Sequence, residues 1–168
     1  MKGLWIVSFL LCAASAAPLV ALADEQEGAK HVTIKDVAAY LDKLDLKYDM
    51  DEQQGIIAFG IAGDHGQYDL AIGADTELDL VFIAVVDYLK VPPAHRNCDK
   101  VLRRLMELNW KLNLGKFEWD SSDGEVRFTY VFCTDDGLGF KSFAAALGTL
   151  VDTADQLHDE LVALVEAE

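Results

Sequence analysis

The chain has 168 residues, and its 14 Lys+Arg against 29 Asp+Glu leave a formal charge of −15. Such an excess of acid gives no general attraction to nucleic acid phosphate or anionic lipid, which require surplus Lys and Arg. A hydrophobic content of 52%, with 10% aromatics, excludes a charge-solvated coil. Residues 1–23 read as a cleavable export signal: Lys2, an apolar stretch over 4–20, then Ala21-Leu22-Ala23 ahead of Asp24, Glu25 and Glu27. Cleavage is expected after Ala23, with a membrane anchor over the same stretch as the alternative. Leu11 before Cys12 argues against lipidation at that cysteine. Removing the signal takes away one Lys and no acid, so 145 residues carry 13 Lys+Arg against 29 Asp+Glu, a charge of −16. The expected location is the periplasm or the exterior, with no membrane contact after cleavage.

Residues 24–32 form a polar lead, and 33–168 read as one domain with no linker and no repeat. Thr33 is placed to cap a helix with Asp36 in its first turn, and Ile34, Val37, Ala38, Leu41 and Leu44 share its apolar face. A β-prone run over 56–61, the turn Gly63-Asp64-His65-Gly66 and alternation over 67–72 make a hairpin. Residues 78–86 are apolar on both faces except Asp79. That predicts a central strand covered on both sides, completing a three-stranded meander.

Beyond Pro92 and Pro93 the spacing predicts a helix over 94–110, with Val101, Leu102, Leu105, Met106 and Leu108 on its apolar face. Arg96, Lys100, Arg103, Arg104 and Lys111 gather around it as the one basic stripe of an acidic chain. A second hairpin spans 114–132 around Ser121-Ser122-Asp123-Gly124. In the final helix Phe143, Leu147, Leu150, Ala154, Leu157, Leu161 and Leu164 follow spacings of 4 and 3. Those 22 positions make about 33 Å of helix at 1.5 Å per residue. Five strands span only about 24 Å, so the helix is expected to overhang its sheet, and the end carrying Leu157, Leu161 and Leu164 reads either as core whose last turns fray or bend or as a partner surface. The order of helix, three strands, helix, two strands and long helix makes an α+β domain on an antiparallel sheet of about five strands.

Residues 105–130, LMELNWKLNLGKFEWDSSDGEVRFTY, resemble the YbjN family of bacterial proteins. Asn109, Trp110, Leu114-Gly115-Lys116-Phe117, Asp120 and Asp123-Gly124-Glu125 carry the likeness, and the element order over 33–164 agrees. The resemblance implies a fold like that of type III secretion chaperones, acidic and often dimeric proteins that hold protein clients and catalyse nothing. It implies no catalytic residue and no cofactor. The motif positions Asn109, Gly115, Phe117, Asp123 and Gly124 all read as structural, through cap and turn chemistry.

Catalytic signals are absent from the sequence. None of Ser121, Ser122 and Ser142 sits in a nucleophile elbow, and His31, His65, His95 and His158 have no zinc-ligand spacing. The turn over 120–125 fails the calcium-loop register, with Trp119 where a carboxylate belongs. Cys98 and Cys133 leave two readings: an export-stable disulfide tying the middle helix to the last hairpin, or a buried Cys98 thiol. The expectation is a non-enzymatic exported binding or regulatory protein acting on a protein or peptide. The alternatives are a homodimer joined through the final helix, or through Leu102 and Leu105 with Arg103 and Arg104 alongside, and a thiol-redox protein using Cys98.

Overall fold

The computed structural model describes residues 31–168. The export signal and residues 24–30 lie outside the described residues. The elements are α1 (Ile34–Lys43), β1 (Asp49–Asp51), β2 (Ile56–Ala62), β3 (Gln67–Asp75), β4 (Leu80–Lys90), α2 (Cys98–Lys111), β5 (Lys116–Trp119), β6 (Glu125–Cys133) and α3 (Phe140–Glu166). The strands form one antiparallel sheet in the order β1-β2-β3-β4-β6-β5. Six strands therefore replace the expected five. The addition, Asp-Met-Asp, is too short to show a period and exists by pairing with β2.

Local chemistry starts and stops the helices as anticipated for α1 and differently for α2. Thr33 and Asp36 exchange bonds at the head of α1, the Asp36 N–H donating to Thr33 Oγ1 and the Thr33 N–H to Asp36 Oδ2. Val32, in the expected polar lead, packs into the core. Helix α2 begins at Cys98, four residues later than expected, because the chain first makes two tight turns. The His95 N–H donates to the Pro92 carbonyl and the Cys98 N–H to that of His95. Asn97 at the head of α2 offers no cap. Its Nδ2 donates instead to the Val165 and Ala167 carbonyls, closing the end of α3.

One face of the sheet makes the core. Register places Met50, Ile57, Ile72, Ile83 and Tyr130 in one row across five strands, and Phe59, Leu70, Val85, Phe128 and Phe117 in the next. The helices cover these rows with Val37, Leu41, Val101, Leu105, Phe143, Leu147, Leu150 and Leu161. Full burial of each large apolar side chain contributes about 1.5 to 3 kcal/mol. The final helix does not overhang. Leu161 is fully buried, Leu157 and Leu164 pack partly buried on the same cluster, and Arg104 of α2 holds Glu160 at 2.5 Å. The last turns are core, as α2 lies beneath them.

Strand β4 departs from its sequence reading in two ways. It runs past Asp87 to Lys90 through an irregularity in the β6 pairing, where Asp87 takes a φ of 48° and its N–H donates to the Glu125 carboxylate. Among the described residues no helix covers its second apolar face. Phe82 is 39% exposed and its partner Val131 43%, because every helix packs against the other side.

Candidate functional site

The uncovered sheet face carries a row of small residues across its strands. Register aligns Ala58 with Ala71, Ala71 with Ala84, and Ala84 with Thr129, with Asp49 beyond one end and Lys116 beyond the other. Two residues along the strands stand Ile56, Phe82 and Val131 on one side and Val86 and Arg127 on the other, making a trough of about 450 Å³. The Phe82 ring lies over Gly73, where an added Cβ would meet it at 2.1 Å. In the trough floor Thr129 is only 6% exposed, yet among the described residues its hydroxyl, like that of Thr134, has no hydrogen-bond partner. Buried hydroxyls are nearly always paired, so this one marks unused binding capacity.

A second exposed surface lies on α2. Val101, Leu105 and Leu108 turn inward with Cys98, whereas Met106 is 67% exposed and Trp110 90%. The expected apolar face over-counted by Met106, which lies with Trp110 on the side facing away from the sheet, while Leu102 beside them packs partly buried on the core. Arg103 lies on that outer surface with Asp99, Glu107 and Lys111. Arg104 turns the other way, pairing with Glu160 and Glu107, and its guanidinium is held well above its ordinary value by them. The basic stripe is thus split between an outer surface and a helix-to-helix tie.

Each family-motif residue has an architectural task. Asn109 clamps α2 to β5, its Oδ1 accepting from the Phe117 N–H at 2.7 Å and its Nδ2 donating to the Phe117 carbonyl at 3.0 Å. The bond goes to the neighbouring strand rather than to its own helix end. Phe117 is buried and stacks on Phe128 at 4.5 Å. Gly115 takes a φ of +76°, and the close neighbour it admits is the Phe128 ring of β6, not the helix. Gly124 takes +85° against the backbone of Pro92, and its carbonyl accepts from the Val91 N–H at 2.7 Å. Asp123 accepts from the Glu125 N–H and pairs with Lys90 at 2.6 Å, which holds its carboxyl below its ordinary value.

The model of the family described as "Putative bacterial sensory transduction regulator", YbjN, matches residues 33–163. The chain belongs to the YbjN family. Among solved structures, YbjN of E. coli, described as a putative transcription regulator, shares 14% identity at a TM-score of 0.60, over 80% of this chain and 93% of that one. The ExsC-ExsE complex matches at 18% identity and a TM-score of 0.56, over 76% and 92%. The ExoU-SpcU heterodimer, from the type III secretion system of Pseudomonas aeruginosa, matches at 17% and 0.51, over 77% and 98%. These likenesses establish a shared fold with secretion chaperones. No curated protein matches the chain.

The YbjN-family fold here also contains a clasp absent from the sequence reading. The turn between β2 and β3 is seated on α3, where Asp155 accepts from the Asp64 N–H (3.0 Å), the His65 N–H (2.9 Å) and the Tyr68 hydroxyl (2.8 Å). Burial opposes ionisation of Asp155, but these donors outweigh it and its carboxyl falls below the ordinary value. His65 pairs with Asp159 at 2.8 Å, which raises the imidazole and lowers the carboxyl. These contacts link groups about 90 residues apart, and no local spacing encodes them.

In this YbjN-family chain the disulfide reading is corrected. Cys98 and Cys133 are both free, Cys98 buried and Cys133 exposed. Cys133 ends β6 opposite Leu80, whereas Cys98 follows the other end of β4, where Lys90 meets Glu125. The eight steps along β6 between those ends measure about 27 Å, far beyond the roughly 4.4 to 6.8 Å a disulfide needs. His95 Nδ1 accepts from the Asn97 N–H rather than engaging the thiol. Among the described residues no group of three or more His, Cys, Asp or Glu is placed to hold a metal ion, and no helix is long and apolar enough to cross a membrane.

Proposed function

We propose that the chain is an exported, non-enzymatic binding module that holds a protein segment against its open sheet face. The observation that carries this reading is the trough: apolar, bounded by Phe82 and Val131, and floored by a buried hydroxyl without a partner. Solvated apolar surface of this kind marks interaction sites. One structural neighbour, HopA1-SchA, is a chaperone-effector complex, which supplies the kind of ligand. Export rests on residues 1–23, with cleavage after Ala23 leaving a periplasmic or secreted species. Affinity capture from the exported fraction should yield a stoichiometric protein with the wild-type chain and none with Ala84→Arg or the half-exposed Val131→Lys, each checked for folding by its melting temperature. Equal capture by all three would reject the face. N-terminal sequencing should begin at Asp24.

A homodimer is the second reading, favoured by the outer surface of α2. Asp99, Arg103, Glu107 and Lys111 follow one another at four-residue steps with alternating sign. Two such helices packed antiparallel set Asp99 beside Lys111 and Arg103 beside Glu107, with Met106 and Trp110 between them. Parallel packing sets like beside like. Sedimentation should show a dimer that Trp110→Glu converts to a monomer. Arg103→Glu and Glu107→Arg, each monomeric alone, should associate when mixed.

A further inference from the structure

The open face has a direction as well as a hydrophobic floor, and this restricts what can lie there. Row spacing of about 4.8 Å over five steps from Asp49 to Lys116 gives a trough about 24 Å long. Sixteen residues of α-helix are the same length. The flanking rows stand two residues to either side, about 13 Å apart at the backbone, close to the width of a helix. The three alanines of the floor leave room for close approach, as the bulk of Phe82 and Val131 stays on the flank.

Polar content decides between an extended segment and a helix. An extended segment crossing the strands would bring unpaired N–H and C=O groups onto a floor that offers only the Thr129 hydroxyl. A helix closes its own backbone bonds and needs one small polar side chain to meet Thr129. The charges then orient it. Asp49 and Asp51 lie at the β1 end, with Asp69 on the same face. At the β5 end Lys116 and Arg127 share the carboxylate of Glu118, each at 2.7 Å, and Asp120 and Glu125 stand beyond Arg127, so Lys116, opposite Thr129, is the cation on the trough row itself. A helix is positive at its N-terminus and negative at its C-terminus.

We propose that the trough receives an α-helical segment of a partner protein, about sixteen residues long, lying across the strands with a basic N-terminal turn over Asp49 and Asp51 and an acidic C-terminal turn over Lys116. This rests on the protein-binding reading above and adds to it the conformation, polarity and orientation of the ligand.

The test uses two synthetic sixteen-residue peptides of one Ala/Leu/Ser composition. One carries Lys in its first turn and Glu in its last, and the other has them exchanged. Fluorescence anisotropy with the full chain should show the first binding at least tenfold tighter at low salt. Asp49→Lys with Lys116→Glu should reverse the preference, Thr129→Val should weaken the first peptide severalfold, and Ala84→Arg or the half-exposed Val131→Lys should abolish binding. Melting temperature checks that each variant is folded. Equal affinity for the two peptides, or indifference to both blocking variants, overturns the proposal. Absence of peptide binding overturns it too, while partner capture that still depends on Ala84 leaves the protein-binding reading standing. Sedimentation in which Ala84→Arg splits a dimer assigns the trough to a second copy of this chain and equally overturns it.

Discussion

On the helix side of the sheet Ile57, Ile72 and Ile83 succeed one another across three strands with no exposed surface, while one residue along, on the other side, the row is Ala58, Ala71 and Ala84. The same backbone thus presents a bulky row that three helices cover and a small row that no described helix covers. The covered side is where the fold's stability is concentrated. The open side contributes little to holding the fold together, which frees Phe82, Thr129 and Val131 to serve a ligand.

Substitutions on the two sides should therefore part company sharply. Phe128→Ala, which empties the centre of the covered side beneath Phe117, is expected to cost about 3 to 5 kcal/mol in denaturant unfolding. Phe82→Ala on the open side should cost about 1 kcal/mol or less, as a partly exposed side chain leaves no sealed cavity. An equal cost for the two would erase the distinction. Asn109→Ala, which strips both backbone groups of Phe117 of their partner, should cost about 1 to 3 kcal/mol by the same measurement. Its effect should exceed that of Met106→Ala on the exposed stripe of the same helix.

A finer contrast lies in single hydroxyls and imidazoles. Thr129→Val should change stability by no more than about 0.5 kcal/mol, because the hydroxyl removed has no bond to lose. A large loss would mean that the group is already paired.

At the clasp, Asp159 raises the His65 pKa above its ordinary 6.5. A raised imidazole stabilises the fold most below its unfolded value, and this contribution is lost as pH rises through the folded one. Amide exchange at Asp64 and His65 should accelerate slightly across that window, and Asp159→Asn should bring the His65 titration, read by NMR, back toward 6.5. Asp155 and Asp159 work in the opposite direction. Their depressed carboxyls stabilise above the ordinary value of 3.8 and lose that contribution as pH falls through the folded values.

Much of this architecture was legible beforehand because local chemistry writes it. The Thr33 cap, the Gly63 to Gly66 turn, the Asp123-Gly124 turn and the alternation along β6 each need only neighbours in sequence. The motif 105–130 reads as cap and turn chemistry, but its partners come only from the fold: Asn109 meets Phe117 by folding α2 back on β5. Two of the errors shared one cause. A continuous apolar run over 78–86 has two equally apolar faces, and periodicity cannot say how many layers cover them. Met106 was misplaced for a related reason, since a wide apolar stripe does not reveal which edge of it points inward.

Composition, hydrophobic period and turn residues thus established an acidic α+β domain and its element order, since each depends on interactions within a few residues. Which sheet face the helices chose, where the end of α3 docks, that Cys98 and Cys133 stand at opposite ends of the sheet, and that Ala58, Ala71, Ala84 and Thr129 line up into one trough were settled by strand register and layer packing. Those are relations between residues tens of positions apart, and only the folded chain brings them together.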